Sequence, residues 1–288
     1  MGLSAEKVHR VSETGLKYLQ SSAQKYRKGC GKNKPEIKFL KAYFCAMENK
    51  EFMKTGTEHI LKSAFAYWSK TLLYQAVYSL IYFSLFFVGY FYLFQYFGLW
   101  DEFAKNSDLV RTDMAAFNQK MEEIARLPQT RNFGLAFFFL LAFLNPLNVG
   151  LYRIYRKADL GEAPEFNDLF AGYRGWDFFK FFGFYLFWII IFTYANATVI
   201  LGVVWIFVTL FSVPLLYFRN VNTFEGIRLT VTGLKRKFPA VVACVLVAVL
   251  FSMCGFIVFG VGILLTFPFW HAMIYALYQN IYKEVEEV

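Results

Sequence analysis

Charge is scarce: 18% of the 288 residues are Asp, Glu, Lys or Arg, where a soluble domain carries roughly 25%. The scarcity is also uneven. Thr71–Trp100, Asn132–Tyr152, Phe181–Phe218 and Phe238–Tyr282 contain none. These runs take up 134 residues, so all 51 charged side chains crowd into the other 154, the partition that alternating lipid-embedded and aqueous segments produce. Histidine is almost missing, with only His9, His59 and His271, and none stands at zinc-site spacing from another His or a Cys. The four cysteines, Cys30, Cys45, Cys244 and Cys254, lack a CxxC pair and read as free thiols. No P-loop, GxSxG or dinucleotide fingerprint is present. Metal hydrolases and nucleotide-driven pumps are thereby excluded, and no cofactor is expected. Energy-coupled transport usually needs an ionisable side chain within the bilayer, and His271 is the single candidate in the runs after the first. The first 30 residues carry six Lys or Arg and no apolar core, so no cleavable signal peptide is expected there.

Aromatic residues are abundant, with 36 Phe, 19 Tyr and 6 Trp. A transmembrane helix needs about 20 apolar residues, so the four runs predict an all-α, polytopic membrane protein of six transmembrane helices, the two longest runs each folding back once. The polar stretch Tyr194–Thr198 and the glycine-rich stretch Cys254–Gly262 supply those turns. Thr71–Trp100 reads as one helix of about 45 Å, too short for two crossings. Of the 30 Lys and Arg, 25 fall in residues 1–70, 153–180, 219–237 and 283, and five in 101–131. Excess positive charge marks the cytoplasmic side, which puts both termini there. The net charge of +9 then reflects orientation and attraction to anionic lipid head groups, with no nucleic acid partner.

The chain accordingly divides into a basic cytoplasmic region (1–66), a transmembrane domain (67–282) and an acidic cytoplasmic tail (283–288). Within the first, Ile37, Leu40, Phe44 and Met47 recur at helical spacing among Lys38, Lys41, Lys50 and Lys54, an amphipathic helix suited equally to the inner leaflet and to packing on the chain's own loops. Within 101–131, Val110, Met114, Phe117, Met121 and Ile124 form one apolar stripe on an external helix that ends at Pro128.

Few side chains stand out as candidates for chemistry. His271 lies near the middle of the last span, where an unpaired polar group is costly. It is expected to be buried, uncharged and hydrogen-bonded to Asn145, Asn148 or Thr266, a structural role weighed against a ligand or proton site. Pro146, Pro214 and Pro268 each fall late in an apolar run and precede an amphipathic extension. Each bends its helix and frees carbonyls that must find neighbours, which suggests three similar units around one centre.

Between the second and third spans runs Gly161–Gly175, with Phe166-Asn167-Asp168-Leu169-Phe170-Ala171-Gly172-Tyr173 at its heart and Trp176–Phe182 following. This stretch resembles the F-x-D-L-F-x-G-[FY] loop of uncharacterised, Bacteroidetes-type bacterial integral membrane proteins. That group is related to the membrane domain that precedes some glycerophosphodiester phosphodiesterases. Glu225–Thr230 and the helix after Pro268 are similar to its later positions, so the resemblance covers roughly Phe133 to Tyr282. It implies a six-helix bundle without an assigned activity, since the phosphodiesterase chemistry resides in a separate soluble domain. Asp168, Arg174, Asp177, Glu225 and Arg228 are expected to form ion pairs between two cytoplasmic loops. The function expected from these residues is non-enzymatic: an inner-membrane scaffold, assembly factor or lipid-interacting protein, with the bilayer and an unidentified membrane protein as partners. Its rival is a facilitator or exporter of an apolar or amphiphilic small molecule or lipid.

Overall fold

The computed structural model describes residues 56–257 and 260–282; the amphipathic stretch expected around Ile37–Met47 and the acidic tail lie outside them. Every regular element among the described residues is helical. Helix α1 (56–70) leads through Thr71, whose hydroxyl turns back to the Tyr67 carbonyl at 2.7 Å, into α2 (Leu72–Tyr96). Helix α2 stops where Gly98 takes φ +71°, a left-handed conformation that a Cβ would penalise, and closes its N–H on the Gln95 carbonyl. The single 45 Å helix expected over Thr71–Trp100 is therefore shortened: 25 residues rise about 37 Å.

Three short helices follow, α3 (Leu99–Lys105), α4 (Leu109–Thr112) and α5 (Met114–Ala125). Asp113 caps the last of these, its carboxylate accepting the N–H groups of Ala115 and Ala116 at 3.0 Å. Of the expected stripe, Phe117, Met121 and Ile124 are half-buried and Val110 and Met114 are exposed. Phe117 meets the Phe103 ring edge-on at 6.3 Å, so the segment covers part of its own apolar face.

The rest of the chain is α6 (Pro128–Leu144), a 3₁₀ turn (Asn145–Leu147), α7 (Asn148–Leu160), a 3₁₀ segment (Phe166–Tyr173), α8 (Asp177–Ala195), α9 (Val199–Thr209), α10 (Ser212–Phe218), α11 (Thr223–Cys254), α12 (Ile263–Thr266) and α13 (Phe269–Tyr282). The turns joining α8 to α9 and α11 to α12 fall at the polar and glycine-rich stretches. Five helical stretches are long and apolar enough to cross a membrane: Leu72–Tyr96, Pro128–Leu160, Asp177–Ala195, Val199–Phe218 and Thr223–Cys254. The second half of the last apolar run, after the glycine-rich turn, is not among them. Pro268 divides it, and α13 carries a buried His271 and, at its half-buried positions, Gln279 and Asn280. The stretch 219–237, expected as a loop, is helical from Thr223. Asn222 caps α11 by accepting the Glu225 N–H at 2.9 Å, and the helix is interrupted at Lys237 (φ −134°), just before Pro239.

The apolar helices pack in sequence order as a closed ring: α2 on α6, α6 on α8, α8 on α9, α9 on α11, α11 on α12 and α13, and α12 back on α2. Inside one end of the ring, α7, α10 and α13, the three segments that follow Pro146, lead in through Pro214 and follow Pro268, come together. Tyr155 lies 5.5 Å from Tyr275, and Phe218 stacks on Tyr278 at 5.5 Å. This is the basic end, where Lys180 reaches the Leu216 carbonyl at 2.6 Å and the Arg219 guanidinium reaches that of Tyr282 at 3.1 Å. Segments α3–α5 lie at the opposite end.

Candidate functional site

Each of the three prolines removes a backbone N–H and leaves carbonyls to be satisfied. At Pro146 the chain tightens into a 3₁₀ turn, and the Asn148 N–H bonds to Asn145 rather than one residue further back. The Tyr173 hydroxyl takes up the freed acceptors, lying 2.8 Å from the Phe143 carbonyl and 3.1 Å from that of Leu144. Near Pro268 the Trp68 indole N–H caps the Leu265 carbonyl at 2.8 Å. Thus α1 and the 166–173 segment supply donors that the broken helices need.

The 166–173 segment does so by backbone contact. A Cβ added to Gly150 would overlap the backbone of Leu169, and one added to Gly172 would overlap the Pro146 carbonyl. Asp168, almost wholly buried, accepts from Arg153 at 2.7 Å, Lys157 at 2.8 Å and the Glu165 backbone N–H at 2.9 Å. Burial works against its charge, but the bonds from Lys157, Glu165 and Arg153 together outweigh it and hold the carboxyl below its ordinary pKa. The ion pairs expected between loops form differently. Arg174 donates to the Asn167 carbonyl at 3.1 Å. Asp177 opens α8, and Glu225 and Arg228 lie in the first turns of α11. Among the described residues none of these four is paired with Asp168, whose cations both come from α7. Helical spacing explains the choice, since Arg153 and Lys157 sit one turn apart on one face of a helix the segment already touches.

The three breaks converge on a cavity of about 200 Å³. Asn145 and Asn148 flank Pro146, Thr209, Leu210 and Val213 lead up to Pro214, and Trp270 and His271 follow Pro268; all seven line it, as do Tyr152, Tyr185 and Trp188. Asn145, Asn148 and His271 are therefore brought to one site, though among the described residues His271 is hydrogen-bonded to neither asparagine. Its partner is the Tyr152 hydroxyl, 3.2 Å from Nδ1, within an aromatic box of Tyr78, Tyr152 and Phe267. Thr266 turns away to the Ser252 carbonyl at 3.0 Å. The asparagines are held by tyrosines: Tyr78 donates to Asn148 Oδ1, Tyr82 to Asn145 Oδ1 at 3.2 Å, and Asn148 Nδ2 reaches Tyr185 at 3.2 Å.

No family model, curated protein or solved structure matches the chain.

The site is therefore read from its own geometry. No Asp, Glu, Lys or Arg lines the cavity, and among the described residues no three His, Cys, Asp or Glu side chains gather as metal ligands. Of the lining, Asn145, Trp188, Ile206 and Trp270 keep appreciable surface, so access runs past them. Toward the basic end the way is filled by Leu151, Tyr155, Leu215 and Tyr275, all fully buried. The tyrosine partners escape a reading of the sequence because 19 tyrosines offer no contrast; Tyr78 and Tyr82 at i, i+4 are the one usable cue.

Replacing His271 with Leu should cost about 0.5 to 2 kcal/mol, the range for interhelical hydrogen bonds in membranes, because the Tyr152 hydroxyl then loses its partner in a buried setting. Gln keeps donor and acceptor and should be nearly neutral. Thermal unfolding in detergent compares the two; equal midpoints for His271→Leu and the unaltered protein would refute the pairing.

Proposed function

We propose that the chain is a six-span integral membrane protein of a bacterial inner membrane, with both termini cytoplasmic, whose cavity holds an uncharged amphiphilic solute or lipid. The observation that carries this reading is the convergence of three proline-broken helices on one cavity. Non-helical backbone at membrane depth persists where it is buried in protein or lines a cavity, and broken helices build solute sites in membrane transporters. The sixth span is α12 with α13, bent at Pro268 as Pro128–Leu160 is bent at Pro146. A core filled with aromatic side chains would have favoured a pure scaffold; a space lined by Asn145, Asn148 and His271 favours a facilitator or lipid-interacting role. The resemblance of Gly161–Phe182 to uncharacterised six-helix membrane proteins agrees with the span count.

Topology is tested by reporter fusions. Fusions after Met114 and at the C-terminus should report opposite sides, following the division of Lys and Arg; the same side for both would refute the six-span reading. The cavity is tested by mass spectrometry of small molecules and lipids retained through purification. Val213→Trp, which fills the space, should lose a species that the unaltered chain retains. Identical retention by both would count against the site.

A further inference from the structure

The hydrogen-bonding groups around the cavity are unbalanced. The acceptors are largely spent. Asn145 Oδ1 accepts from Tyr82 and from Asn148 Nδ2, at 3.2 and 3.3 Å, and Asn148 Oδ1 accepts from Tyr78. Thr209 Oγ1 accepts from the Trp188 indole at 2.8 Å and donates to the Trp205 carbonyl at 2.6 Å. What remains is donors. Asn145 Nδ2 and Trp270 Nε1 have no partner among the described residues, and Tyr185, which accepts from Asn148, has its own proton unspent. The contact between the Tyr152 hydroxyl and His271 Nδ1 uses one proton of the pair in either tautomer and leaves one, on Nε2 or on the Tyr152 oxygen, a further donor.

Donors without charge select a narrow class of ligand. An N–H or O–H that faces neither water nor an acceptor is costly at membrane depth, so an occupant with acceptor oxygens is favoured over a hydrocarbon. An anion would satisfy the same donors but would bring a charge where no lining residue offsets it. A head rich in its own O–H or N–H would set donor against donor. A cavity of about 200 Å³ is somewhat larger than the ~150 Å³ that holds a benzene, room for one substituted ring or a head of similar size. We infer that the cavity takes an uncharged head bearing only acceptor oxygens, of the ketone, ester or quinone type, on an apolar body lying against Trp188, Ile206 and Trp270. The inference rests on the cavity being a ligand site, as proposed above, and adds the chemistry of its occupant.

Three probes sharing a decyl tail separate the possibilities: a dimethoxy-benzoquinone, its quinol and decyl phosphate, each titrated against the purified full chain in detergent by equilibrium dialysis. The benzoquinone should bind at least tenfold more tightly than the other two. Tyr185→Phe and Trp270→Phe keep an aromatic ring and each remove one donor, so each should weaken it about 3- to 10-fold, the worth of one neutral hydrogen bond. Val213→Trp should abolish its binding. Equal or tighter binding of the quinol or the phosphate, or unchanged affinity in both donor variants, overturns the head-group class while leaving the cavity a ligand site. Absence of saturable binding by all three overturns both.

Discussion

Gly172→Ala and Gly150→Ala should each collapse the basic end of the bundle, losing at least about 3 kcal/mol, at or beyond the usual cost of overpacking, because the clash is with backbone and no side chain can rotate away. The Cβ of the first would occupy the space of the Pro146 carbonyl and crowd Val149; that of the second would overlap the backbone of Leu169. Relief requires the 166–173 segment to move off α7, which withdraws the Tyr173 hydroxyl from the Phe143 and Leu144 carbonyls and parts Asp168 from Arg153 and Lys157. Gly134 and Gly183 supply the comparison. Both sit in helices with nothing near their added Cβ, so alanine there should be neutral or stabilising by up to about 1 kcal/mol through helix propensity. Thermal midpoints and the monodisperse fraction in detergent measure all four. A Gly172→Ala protein as stable as Gly183→Ala would mean that the close approach is not a constraint.

This contrast also explains what could be read from the chain beforehand. The apolar runs, the turns near Asn196 and Gly255–Gly262, and the three prolines are local signals, set by hydropathy and backbone chemistry, and they were legible. Asn145, Asn148 and His271 stood out because amides and an imidazole are rare in such runs. Their convergence was suggested by the need of His271 for a polar partner and by the repeated proline, but nothing in a linear pattern fixes which faces of three helices meet. Their tyrosine partners were invisible among so many aromatic residues. Gly150 carries no signal in the sequence and Gly172 stands out only as the glycine of the loop motif, although each is required by a backbone contact between segments about 20 to 25 residues apart. Pro239 stands at the edge of charge, where a loop was expected and a kinked helix formed instead. The loop motif that carried the resemblance has a mechanical account here: Asp168 anchors it to α7, Leu169 and Gly172 lie on backbone, and Tyr173 caps the break at Pro146.

Asp168→Asn should destabilise the protein by about 2 to 3 kcal/mol at neutral pH. That lies below the 3–5 kcal/mol for breaking a fully buried pair, because the Arg153 side chain is 34% exposed and can rehydrate, whereas Lys157 is only 17% exposed and Asp168 2%. The amide preserves shape and can still accept from the Glu165 N–H, so the loss isolates the charge that holds two cations together. The pH dependence gives a second, independent reading. The folded carboxyl titrates below its ordinary value, so its contribution is fully present above the unfolded pKa of about 3.9 and is lost as pH falls through the lower folded value. The difference in thermal midpoint between the unaltered protein and Asp168→Asn should therefore be constant from pH 7 down to about 5, then shrink as the solution is acidified further. A gap that stays the same at pH 3 would assign the effect to packing around the side chain, and no gap at pH 7 would remove Asp168 from the forces that hold the broken helix in place.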